Sequence, residues 1–234
     1  MTHPSTSDAE PAIPATNRTS LRRKKERGTY DRAAIDAILD EGFICHVGFS
    51  DGGSTYVIPT AYARLGDRLV MHGASANHTL RALASGVPAC VTVTLLDGIV
   101  FARSAFHHSM NFRSVVLFGE GASVDAVEEK RAAVLAIVDH VAPGRSGESR
   151  PPTDAELRST RVVSFPITEA SAKIRTGGPI DDDEDLGLPL WAGVVPLSLT
   201  AAEPVPDPGP AGDLAVPASV RIVAEGRRTS ERPG

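Results

Sequence analysis

Cysteine and tryptophan are scarce in this chain, with two cysteines and one tryptophan in 234 residues. Cys45 and Cys90 lie in separate apolar runs, so no disulfide framework is expected and both should be buried free thiols. HExxH, CxxC and a clustered set of carboxylate ligands are all missing, and no metal site is expected. No apolar run approaches the ~20 residues of a membrane span, and the first residues, MTHPSTSDAE, lack the apolar stretch of a secretion signal. A cytoplasmic protein without a membrane partner is the expectation. A basic excess is also missing: the net charge of −5 argues against a sequence-independent nucleic-acid binder.

The length suits one domain flanked by tails. Residues 1–20 and 202–234 are rich in Pro, Ser, Thr, Ala and Gly and are expected to be disordered, leaving a domain at residues 21–201. The run LRRKKER at 21–27 reads as a solvated basic arm that could approach a phosphate. Beyond it, Asp31 is placed to cap a helix with Ile35, Ile38 and Leu39 on one face and Gly42 at its end. Residues 43–49 alternate, with Phe43, Cys45, Val47 and Phe49 on one side. The Ser50–Ser54 turn and a second strand over 55–63 make a hairpin. Strands follow over 68–72, 89–96, 99–103, 115–124 and, broken near Pro166, 161–175. Asp97-Gly98 reads as a tight turn or a bulge. Helices are expected over 77–85, with Leu80, Leu83 and Ala84 inward, and over 128–141, with Val134, Ile137, Val138 and Val141 inward. A short helix starts at the capping-box spacing Thr153…Glu156. Consecutive antiparallel strands describe a meander, hence a barrel or sandwich and not a Rossmann sheet.

Two stretches carry chemistry. In residues 72–83, HGASANHTLRAL, a strand end runs through small residues into a helix start bearing His78 and Arg81, an arrangement that suits a phosphate. Residues 101–121, FARSAFHHSMNFRSVVLFGEG, put two adjacent histidines before an apolar strand. The residues alone stop at an anion or nucleotide binder. Both stretches resemble the pyridoxamine 5′-phosphate oxidase-like flavin-binding proteins, in the branch related to nitroimidazole-resistance proteins, over about residues 21–197. The resemblance implies a mainly β, α+β fold: an FMN-binding split β-barrel of about six antiparallel strands with peripheral helices, usually a homodimer with flavins between subunits. It further implies FMN contacts from Pro59 and Thr60, from His72, Gly73, Ser75, Asn77, His78 and Arg81, from Asn111, Arg113 and Ser114, and from Lys173, Arg175 and Trp191. His78 stands where the family usually has lysine. Lys173, Arg175 and Trp191 of one chain are expected to complete a site begun by residues 72–81 of the other.

The function so implied is FMN-dependent oxidoreduction of a small-molecule substrate, with His107 or His108 as the candidate proton donor. A flavin carrier or sensor without turnover, and a haem-binding relative using a histidine ligand or a deazaflavin-binding one, are the alternatives. The run Asp181–Asp185 reads as a solvated loop.

Overall fold

A computed structural model of the chain describes residues 12–209 and 214–226. Local signals set most of its elements. Helix α1 (Arg32–Glu41) begins where the Asp31 carboxylate accepts from Ala34 N, and it buries Ile35, Ile38 and Leu39. Gly42 follows with an ordinary φ of −74°. Glycine is needed there for space, since a Cβ would come within 2.5 Å of Val93 and 2.8 Å of the Tyr62 hydroxyl.

Strands β1 (Gly28–Thr29), β2 (Ile44–Asp51) and β3 (Ser54–Ala61) come next in the sheets, with the β2–β3 turn made by Gly52 and Gly53 at φ of 56° and 82°. Strands β4 (Ala63–Leu65) and β5 (Arg68–Ala74) lead into helix α2 (His78–Ala84). The long pair β6 (Pro88–Phe101) and β7 (Ser109–Glu120) is followed by β8 (Ala122–Ser123), α3 (Val127–Val141), α4 (Asp154–Ser159), β9 (Thr160–Pro166), β10 (Ala170–Arg175), β11 (Gly193–Pro196) and α5 (Ala218–Ala224).

All pairings are antiparallel. One seven-stranded sheet runs β1-β10-β7-β6-β2-β3, with β11 paired to β6, and a four-stranded sheet runs β4-β5-β9-β8. The fold is therefore the mainly antiparallel α+β class expected. Several short edge strands raise the strand number among the described residues above six.

The inner face of the large sheet, with Cys45, Val47, Phe49, Val91, Val93, Val115 and Leu117, meets Leu69, Met71 and Phe165 of the small sheet beneath α1 and α2. A second cluster joins Ala133 and Ile137 of α3 to Ala63, Val70 and Val162. On α3 the buried side chains are Ala133 and Ile137, while Val141 is exposed. The small alanine lets the helix lie close to the sheet.

The tail expectation is corrected at both ends. Residues 1–11 lie outside the described residues, but Ile13 is buried, its N–H donates to Tyr30 O, and Arg18 pairs with Glu169 and covers the Phe118 ring. At the other end α5 forms, held where Glu148 accepts from Ala218 N, Ser219 N and the Ser219 hydroxyl. Residues 210–213 and 227–234 lie outside the described residues.

Both thiols are free. Cys45 is fully buried, and burial pushes its pKa up to about 12, while Cys90 is half-buried with a pKa moved in the same direction. A thiol reagent at about pH 8 is expected to leave Cys45 unmodified until denaturant is added. Fast labelling of both thiols in the folded protein would contradict this packing.

Candidate functional site

The residues that sequence reasoning singled out fall into three places. The first is a cleft of about 380 Å³ between the end of β2, helix α2, β8 and β9, lined by Asp51, His78, Arg81, Ser85, Ser123 and Arg161. Asn77 caps α2 by accepting from Leu80 N at 3.0 Å. His78 does not stand free: its Nε2 is 2.8 Å from the Asp51 carboxylate, and its ring lies against Tyr56 and Phe49. Arg81 is exposed and enters no ion pair among the described residues, whereas Arg161, unnoticed in the sequence, donates Nε to Ser75 O at 3.2 Å. Helix α2 has seven residues, too few for a strong macrodipole, so the anion-attracting power of this cleft comes from the two guanidinium groups. His72 and Gly73 belong to β5, paired with Val162 and Arg161.

The second place is the outer face of the large sheet. Cross-strand register sets Pro59 beside His46, His46 beside Thr92, Thr92 beside Val116 and Val116 beside Ser171. Two residues along, Thr94, Ser114 and Lys173 form the adjoining row. Opposed residues share a face, so Pro59, Ser114 and Lys173 lie on one face, with Pro59 and Lys173 four strand spacings, ~19 Å, apart. They are joined by His46, which the reading missed although the alternation of 43–49 already turned it outward. Thr60 pairs with the buried Cys45 and belongs to the inward phase.

Arg113 also belongs to the inward phase. It forms bidentate bonds to both Glu41 and Asp97, at 2.5 to 2.9 Å, which raise its pKa. It clamps α1 to the β6–β7 pair and has no guanidinium left for a flavin. Asn111 is buried and supports Arg175, whose Nη2 donates to Gly178 O at 3.2 Å and whose Nε is buried without a partner among the described residues. Burial and the repulsion of Arg27 lower the Arg175 pKa.

The third place is the far end of β6 and β7. His107 and His108 lie at a 3₁₀ turn and not in a strand. His107 Nε2 is 3.1 Å from Asp182, and His107, Asp182 and Asp185 bring possible ligand atoms within 4.8 Å of one another. Asp181 is not a solvated residue: its side chain is buried and accepts from Arg103 N and Nη1, both at 2.9 Å. Trp191 is exposed, 5.9 Å from Phe101 between ring centroids. From Ala89, near the cleft, to Phe101 the chain runs ~40 Å along β6 at ~3.3 Å per residue. Residues 72–81 and Trp191 of one chain thus lie at opposite ends of the sheet.

The family model of pyridoxamine 5′-phosphate oxidase matches residues 31–174. The chain belongs to this family. Among solved structures it is 39% identical to the flavocytochrome Anf3 from Azotobacter vinelandii, covering 90% of this chain and 99% of that one with a TM-score of 0.84. It is 38% identical to the FAD and heme binding protein from Mycobacterium smegmatis, covering 84% and 97% with a TM-score of 0.81. A proposed 5-nitroimidazole antibiotic resistance protein from Bacteroides thetaiotaomicron, 23% identical, covering 63% of this chain and 86% of that one, shares the fold with a TM-score of 0.54. No curated protein matches the chain. No helix among the described residues is long and apolar enough to cross a membrane.

Proposed function

We propose that the chain is a flavocytochrome of this family: a homodimeric redox protein that holds a flavin nucleotide and a haem and acts on a small-molecule substrate. The observation that carries the reading is its near full-length likeness to two proteins named for these cofactors. The donor sets fit. Arg81 and Arg161 line a cleft open to an anion, as a flavin phosphate requires. The outer sheet face leaves Ile44 at 48%, Val57 at 63% and Leu96 at 46% exposure, an apolar area that a second copy and a flavin ring would cover.

A bound flavin supplies hydride and single-electron transfer and a haem one-electron transfer. The chain's own part is to bind the phosphate through Arg81 and Arg161, to exclude water from the sheet face, and to hold a proton on His107, which Asp182 orients. Two guanidinium groups at one cleft suit a single phosphate and so favour FMN, the nucleotide expected on sequence grounds, while the relative from M. smegmatis is named for FAD.

Protein purified with its cofactors should show both a flavin band and a Soret band, and chromatography of the heat-released flavin decides between FMN and FAD. A colourless protein that takes up neither flavin nor haemin would refute the reading. A monomer in sedimentation at micromolar concentration would refute its dimeric part.

A further inference from the structure

Residues 21–27, LRRKKER, put five cations and one acid into seven residues of a chain whose net charge is −5. Arg22, Arg23, Lys24 and Lys25 are exposed. Arg18, a few residues earlier, pairs with Glu169, but none of the five cations enters an ion pair among the described residues. Behind them Arg175 is buried, and burial and repulsion from Arg27 lower its pKa. Its bonds go to the Asn111 amide oxygen and to the carbonyls of Gly177 and Gly178, so no carboxylate among the described residues quenches this charge.

The loop is held in place. The Tyr30 hydroxyl donates to Thr19 O at 2.9 Å, which ties its two ends together. Leu21 packs over Gly28, where a Cβ would come within 1.9 Å of the leucine. The chain turns at Lys24, with φ 55° and ψ 53°, among the described residues the only one besides glycines with a positive φ. A lysine stands there at a local cost. A hollow of about 210 Å³ beside the turn, lined by Ser20, Leu21, Lys25 and Tyr30, has room for a side chain of a partner.

The position of this surface matters. Strand β1, which follows the turn, forms one edge of the large sheet, with Gly28 beside Lys173 and Lys173 beside Ser114. Lys173 and Ser114 lie ~5 and ~10 Å in from β1, on the outer face that a flavin ring would cover. The residues that a second copy would cover, Ile44, Val57 and Leu96, are on β2, β3 and β6 toward the other edge. A dimer formed through them leaves the cations open.

We propose that the loop from Leu21 to Arg27 is the docking surface for a small acidic electron-transfer protein that reduces the flavin. It rests on the flavocytochrome reading and names the class of the electron donor. Two molecules of the reduced donor each give up one electron and leave oxidised, and the electron pair, with protons from water, ends on the flavin. Fixed, unpaired cations beside a redox centre steer an acidic partner to it. A nucleic acid or a membrane would meet far more of the chain than this loop, and the rest of the chain is acidic.

The test uses the full chain with its cofactors, and two acidic probes, a [2Fe–2S] ferredoxin and a flavodoxin. Wild type is compared with Arg22→Gln/Arg23→Gln/Lys25→Gln and with Arg68→Gln/Arg158→Gln/Arg221→Gln, which removes the same charge elsewhere. Calorimetry reads binding of the oxidised probes, and stopped flow reads flavin reduction by the reduced ones. At low salt the loop variant is expected to lose roughly tenfold or more in both, the remote variant to match the wild type, and high salt to remove the difference. Dithionite should reduce all three proteins at one rate, which a damaged cofactor site would not allow. Equal losses in the two variants, or a wild type that binds neither probe, overturn the proposal and leave the flavocytochrome reading intact. So does flavin nucleotide lost from the loop variant alone, or binding to phosphatidylserine vesicles or duplex DNA that this variant loses while it keeps the probes. A wild type that takes up no flavin overturns that reading, and calorimetry on the same chain still decides the docking surface.

Discussion

Replacing Arg81 and Arg161 together by alanine is expected to weaken flavin nucleotide binding by ~10²-fold or more and to leave riboflavin binding unchanged. Each guanidinium offers a charge-assisted bond to a phosphate, and each such bond contributes about 1.5–3 kcal/mol. Both side chains line the same cleft from different elements, Arg81 from α2 and Arg161 from β9, and neither belongs to the core. The fold should therefore survive the double change, which circular dichroism would check. Titration of FMN, FAD and riboflavin by flavin fluorescence is the measurement. Equal losses for riboflavin and the nucleotides would mean that the cleft does not hold a phosphate. An unchanged affinity for all three would move the phosphate elsewhere on the chain, with Lys173 and Arg175 next.

The largest expected loss of stability comes from Phe165→Ala. Phe165 is fully exposed to the core and not at all to solvent, its ring lies under Gly119 of β7, and its backbone pairs with Leu69. It is thus a point where the two sheets of the barrel touch. Removing the ring takes away its transfer energy and leaves a cavity between stiff, hydrogen-bonded layers that cannot close around it, for a cost of about 3–5 kcal/mol. In a domain of ordinary stability that is a large share of the total. Thermal or urea unfolding would measure it. A loss below about 1 kcal/mol would mean that the sheets slide together readily and that the core is softer than its packing implies.

What the sequence disclosed follows the range of each interaction. The Asp31 and Thr153 caps and the Gly52-Gly53 turn act over a few residues, and all appear where their spacing put them. The buried faces of α1 and β2 were equally legible, because one periodicity decides each. Longer-range events were not. Residues 12–20 look like a tail by composition, yet Arg18 finds Glu169 and Ile13 finds the core, which no local pattern announces. Arg113 reads as a cofactor ligand until Glu41 and Asp97, distant in sequence, are seen to occupy it. Within the candidate site, Arg81 was legible because it follows a strand-to-helix transition. Arg161 was not, because its nearness to Ser75 depends on the pairing of β5 with β9.

The irregularity at Asp97 has a consequence for how such a chain can evolve. Up to Leu96, odd-numbered residues of β6 such as Val91 and Val93 face the core. Beyond the shift between Leu96 and Gly98, even-numbered ones such as Val100 do. The extra residue acts as a phase change in the strand. Deleting it would set Gly98 directly after the outward Leu96, so Val100 would stay inward and Ile99 and Phe101 outward, and only the local bend of the strand would be lost. The gain or loss of this one codon therefore redirects the strand without exchanging its faces. A homologue with one residue fewer between Leu96 and Gly98 would present the same side chains on the same surface, along a straighter strand.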